Sequence, residues 1–121
     1  TYRIDRSTFE ATMSALDGQT VDDFELVVVD NGTDWAVTDA LEPRSVPWRY
    51  LELESNLGVT VARNVGATVA DGELLIFLDD DGVPRADFVE QHRRVHERPI
   101  VAARGRVVPP ADSIYNRMQS H

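Results

Sequence analysis

Two apolar runs, each ending in an acidic residue, constrain this chain more than any other feature. Residues 24–29 (FELVVV) and 74–78 (LLIFL) are almost continuously apolar. That is the pattern of strands buried on both faces, not of strands with one wet face. The first passes into Asp30-Asn31-Gly32, a turn signal. The second passes into Asp79-Asp80-Asp81-Gly82.

Helical patterns alternate with these runs. Residues 7–16 read as a helix: Ser7 with Glu10 three positions on makes a capping box, Phe9, Met13 and Leu16 share a face, and Gly18 stops it. A short helix is expected over 35–41, before Pro43. Residues 48–53 (WRYLEL) read as a second strand and 59–70 as a helix of small residues closed by Gly72. Pro84 suits the first turn of a helix reaching residue 97, with Pro99 as its stop. A fourth strand is expected over 100–108. This rhythm predicts an α/β fold, a mainly parallel sheet flanked by helices, in one domain spanning residues 1–121. In such sheets ligands bind beyond the carboxyl ends of the strands, where Asp30 and Asp79 stand. The chain opens on Thr1-Tyr2 directly before a helix, with no leading strand. The expectation is a domain truncated at both ends or a sheet without its usual first strand.

Composition narrows the partners. The formal charge is −9 and 42% of the 121 residues are apolar, enough for one core. An acidic chain is a poor match for nucleic acid or an anionic membrane. It can still hold a phosphate ligand if a divalent cation lies between carboxylates and phosphates. The absence of cysteine removes disulfides and thiolate chemistry. All twelve basic residues are arginine, so no lysine-dependent mechanism is open to this chain. No apolar run approaches the roughly 20 residues of a membrane span, and no leader pattern opens the chain. A cytoplasmic protein is expected, tied to a membrane only through parts beyond this sequence.

Asp79-Asp80-Asp81 carries the clearest chemistry. In an extended segment Asp79 and Asp81 share a face and Asp80 points away. Two close carboxylates repel unless a cation joins them, and Mg²⁺ or Mn²⁺ suits such oxygen ligands. A solvated acidic turn is the plain alternative. Asp30 is either an ordinary turn residue or a carboxylate that accepts from a nucleobase N–H. Arg63, on a helix of small residues, is either a surface arginine or a phosphate partner. His92 and His96 lie one helical turn apart, but Arg93 stands where a zinc-protease motif needs Glu, so packing is the expected role.

Together, Thr1-Tyr2, Gln19-Thr20, FELVVVD with Asn31-Gly32, Asn56-x-Gly58, ARNVG and GELLIFLDDDG resemble glycosyltransferase family 2, an inverting family with the GT-A (Rossmann-like) fold. The resemblance covers nearly the whole chain. It implies a nucleotide diphospho-sugar donor, with a UDP-sugar favoured, an unknown acceptor and a divalent metal, Mg²⁺ or Mn²⁺. It places Thr1 and Tyr2 at the nucleoside pocket, Asp30 at the base and Arg63 near the diphosphate. Asp79 and Asp81 match the ends of the DxD motif, with Asp81 as metal ligand and Asp79 at the ribose or assisting the metal; Asp80 is the variable middle of the donor-binding set. No residue matches the family's general base, expected beyond the C-terminus in the acceptor-binding half. The implied fragment holds donor and metal but transfers sugar weakly or not at all.

Three other readings compete. A haloacid-dehalogenase-like phosphatase shares the strand followed by DxDG, but needs a lysine and further acids downstream. A sugar-phosphate nucleotidyltransferase would want a glycine-rich basic loop. A degenerate nucleotide-binding domain would keep the fold without turnover.

Overall fold

The computed structural model describes residue 1 and residues 4–99. Six elements follow in order: α1 (Arg6–Asp17), β1 (Leu26–Asp30), α2 (Val37–Leu41), β2 (Trp48–Glu52), α3 (Val59–Val69) and α4 (Phe88–Val95). β1 and β2 pair in parallel, with Leu26 opposite Trp48 and Asp30 opposite Glu52. The expected α/β fold with a parallel sheet is therefore present, as two strands among the described residues. The expected strand over 100–108 lies outside them.

The core forms on one face of the sheet. Phe9, Met13 and Leu16 of α1 meet Val37, Ala40 and Leu41 of α2 over Val28 of β1. The ring of Trp35 sets its edge against Phe9, with centroids 5.6 Å apart. Successive strand residues point to opposite faces, so Val29 looks away from this core towards α3. A Cβ on Gly66 of α3 would lie 3.4 Å from a Val29 methyl, so the helix sits close to the strand there. Gly66→Leu therefore overpacks this contact. It is expected to cost about 2 kcal/mol in urea denaturation and to displace the first turns of α3, including Arg63.

α1 starts earlier than its sequence signal. Asp5, not Ser7, is the N-cap; its carboxylate accepts from the Thr8 amide at 3.1 Å. The Ser7 and Thr8 hydroxyls donate to the same carboxylate, at 2.6 and 2.7 Å. These bonds, that from Ser7 foremost, hold the Asp5 carboxyl down to about 2. Glu10 pairs with Arg6 instead of closing a capping box. Two acceptors compete for the same helix start, and the one that reaches the Thr8 amide sets it.

The run 74–78 departs most from expectation. It carries no strand hydrogen bonding. Leu74, Ile76 and Leu78 are half-buried while Leu75 and Phe77 are exposed, so it has a strand's two-residue period without a ladder. The reason lies on β1. Leu26 donates to the Pro47 carbonyl and Asp30 accepts from Leu53, so the even residues face β2. The odd residues face the other edge. There, among the described residues, Thr1 alone forms a parallel bridge, donating to the Val29 carbonyl and accepting from the Asn31 amide, both at 2.6 Å. Alongside that edge an apolar cavity of about 700 Å³ is lined by Val27 and Val29 on one side and Ile76 and Leu78 on another. With this space beside it, the run meets no backbone partner among the described residues.

Candidate functional site

The site gathers at the carboxyl end of β1. Asp30 is 2% exposed and its carboxylate is committed within the protein. One oxygen accepts from the Gly32 and Thr33 amides at 3.1 and 2.8 Å, and from the Thr1 hydroxyl at 3.4 Å. The other accepts from the Tyr50 hydroxyl at 2.5 Å. Val28, Asp30 and Tyr50 share one face of the β1–β2 ladder, which is why a tyrosine on β2 reaches an aspartate on β1,. Burial pushes the Asp30 carboxyl up, but the Tyr50 hydroxyl and the Thr33 and Gly32 donors outweigh it and hold it below the usual range. The Tyr50 hydroxyl is pushed up, by burial first and then by the carboxylate it bonds.

Asn31 is also buried, and its side-chain carbonyl accepts from the Leu57 amide at 2.9 Å. This ties the loop 56–58, where Gly58 adopts φ 90°, to the end of β1. A positive φ at the residue before α3 is easy only for glycine, so the Asn56-x-Gly58 pattern sets how the helix enters.

Arg63 projects from α3 to the acidic run. Its guanidinium lies 3.3 Å from Asp79 Oδ1 and 5.7 Å from the centre of the Phe77 ring. Both partners of the ion pair are well exposed, 51% and 76% at the side chain, so the pair contributes little to stability,. The acidic run bends: the Gly82 amide donates to the Asp79 carbonyl at 3.0 Å, which puts Asp80 and Asp81 at the two central positions of a turn,. The extended geometry expected for the triplet is therefore not adopted. Asp79 and Asp81 are nevertheless both exposed, with Asp80 half-buried between them. Thr12 of α1, buried, donates to the Asp80 carbonyl at 2.9 Å and anchors the turn to the core.

Thr1, Asn31, Arg63, Asp79 and Asp80 line the same cavity. Asp30 and Asp81 are not among its lining residues: the first lies beneath the turn, the second at the outer bend. Tyr2 lies outside the described residues. Sequence reasoning missed Thr12, Thr33 and Tyr50, and read Asn31 only as part of a turn and a motif; their roles depend on contacts across the fold. Among the described residues, no group of three or more histidines, aspartates or glutamates is placed to hold a metal ion. A divalent ion that takes one or two carboxylates and completes its shell with phosphate oxygens and water still fits the donor set of Asp79 and Asp81. Such an ion would be held jointly by protein and ligand. His92 and His96 pack as expected, rings stacked 6.1 Å apart with Phe88 edge-on to His92. No helix among the described residues is long and apolar enough to cross a membrane.

Similarity to known proteins gives the chain a family. The family described as glycosyl transferase family 2 matches residues 2–121. An uncharacterized glycosyltransferase of Bacillus subtilis, YfnE, is 28% identical over 98 residues, which cover 79% of this chain and 25% of that protein. An uncharacterized glycosyltransferase of Haemophilus influenzae is 37% identical over 71 residues, 59% of this chain and 24% of that protein. The matched region is thus about a quarter of the length of these relatives. No solved structure matches the chain.

Proposed function

The chain belongs to glycosyl transferase family 2, and from that premise we propose that it is the donor-binding part of an inverting glycosyltransferase that holds a nucleotide diphospho-sugar through a divalent metal. The observation that carries this reading is the meeting of Arg63 and Asp79, 3.3 Å apart, at a cavity also lined by Thr1 and Asn31 from the carboxyl end of β1. A cation-bearing helix and an acidic turn on one cavity suit a ligand that is anionic at its diphosphate and brings a metal with it. Family membership removes the phosphatase reading of Asp79 to Gly82.

In this proposal Thr1, Asp30 and Tyr2 belong to the nucleoside end. Asp30 fixes the turn 30–33 through its own hydrogen bonds and so shapes the floor on which the base rests. Arg63 faces the diphosphate. Asp79 and Asp81 hold Mg²⁺ or Mn²⁺, with Asp80 beside them on the donor. When bound, the ion offsets the negative charge that develops on the departing nucleoside diphosphate. The guanidinium of Arg63 acts in the same direction, because it makes charge-assisted hydrogen bonds to phosphate oxygens. Attack by the acceptor on the opposite face of the sugar inverts the anomeric centre. A UDP-sugar is the favoured donor, and the general base is assigned to no residue of this chain.

Titration calorimetry with UDP tests the reading. Binding is expected in the presence of Mn²⁺ and is expected to fall at least about tenfold when EDTA removes the ion. Equal binding with and without the metal would count against the metal-bridged donor site.

A further inference from the structure

We propose that Arg63 is an exchangeable counterion: it neutralises Asp79 while the site is empty and transfers to the donor's diphosphate when a divalent cation takes the carboxylate. The inference rests on the donor-site reading above and adds a coupling between its two ligands.

Four observations carry it. The guanidinium pairs with one oxygen of Asp79 at 3.3 Å, and no other acidic partner of Arg63 is seen among the described residues. The pair is exposed on both sides, so separating it costs little,. Phe77 supports the arginine from the side, 5.7 Å from the ring centre, which keeps the guanidinium at the cavity without locking it to the carboxylate,. Arg63 and Asp79 also line the same cavity, so a shift between the two partners needs a change of side-chain conformation and no movement of α3.

The electrostatics then set the two cations against each other. A divalent ion and a guanidinium on the same carboxylate repel each other at a few ångströms. Metal binding at Asp79 therefore loosens the Arg63 pair, and metal alone leaves that arginine with a weakened counterion. A diphosphate arriving with the metal supplies a stronger one. Metal and nucleotide should each favour the binding of the other, and by linkage the coupling factor is the same in both directions. The structure thus predicts a site that takes the two together.

The test uses Arg63→Gln in the full chain, with two readouts that need no turnover. Free Mn²⁺ is titrated by electron paramagnetic resonance without nucleotide, and UDP is titrated by calorimetry at saturating Mn²⁺. Arg63→Gln is expected to tighten Mn²⁺ alone about threefold, because the competing cation is gone. It is expected to weaken UDP about tenfold, because the phosphate partner is gone. Opposite signs support the exchange. Unchanged or weaker Mn²⁺ binding overturns it, even if UDP binding falls. Absence of any Mn²⁺-dependent UDP binding by the parent chain overturns the donor-site reading and this inference with it. Arg63→Lys, which keeps the charge, should leave Mn²⁺ alone at the parent affinity; tightening of Mn²⁺ by this variant too would also overturn the exchange.

Discussion

Asp79→Ala is expected to lower Mn²⁺-dependent binding of UDP by about 100-fold, close to 2.7 kcal/mol. Asp81→Ala is expected to do the same, and Asp80→Ala to keep most of the binding. The ranking follows from the turn. Asp79 and Asp81 present exposed carboxylates, and Asp79 lies on the cavity beside Arg63. Thr12 holds the Asp80 backbone carbonyl from α1, and that bond, which anchors the turn, survives truncation of the side chain. Calorimetry on the three variants, with and without EDTA, separates the roles. A uniform loss across all three would mean that the turn matters and the metal ligands do not. Because Asp81 stands at the outer bend, a small effect there with a large one at Asp79 would move the principal ligand to Asp79.

The second large effect concerns Asp30. Asp30→Ala removes the acceptor for two backbone amides and two hydroxyls, of Thr1 and Tyr50. Buried donors left without partners cost more than the bonds themselves contribute. A loss of about 3 kcal/mol is expected in urea denaturation, with a melting midpoint lower by roughly 10 °C or more for a domain of this size. Tyr50→Phe deletes one of the four donors and should cost about 1 kcal/mol. The pH dependence has a definite sign. The folded Asp30 carboxyl is held below its unfolded value. Its ionised form therefore contributes in full above the unfolded value, near pH 4, and the contribution is lost as pH falls through the lower folded value. The difference in stability between the parent and Asp30→Ala should shrink over that acidic range.

The sequence made some elements plain and hid others for identifiable reasons. The apolar run ending at Asp30, the strand from Trp48 and the small-residue helix from Val59 were legible because local period and burial agree. Element ends moved by a few residues where two signals competed, as at Asp5 and Ser7. The run 74–78 has the composition of a buried strand, yet a strand is a relation between two backbones, and composition says nothing of whether the neighbour is there. At the site, Arg63, Asp79 and Thr1 were visible as residue types in suggestive places. Tyr50 and Thr12 were not, because a tyrosine on a strand and a threonine in a helix are ordinary until the fold sets one beside Asp30 and the other beneath Asp80.

The bridge between residue 1 and β1 bears on how the cavity keeps its shape. Thr1 is bonded to the Val29 carbonyl and the Asn31 amide through its backbone, so the side chain there can change without releasing the main chain from the strand. One end of the cavity wall is therefore fixed by peptide groups, and its lining can vary in chemistry while its position stays put.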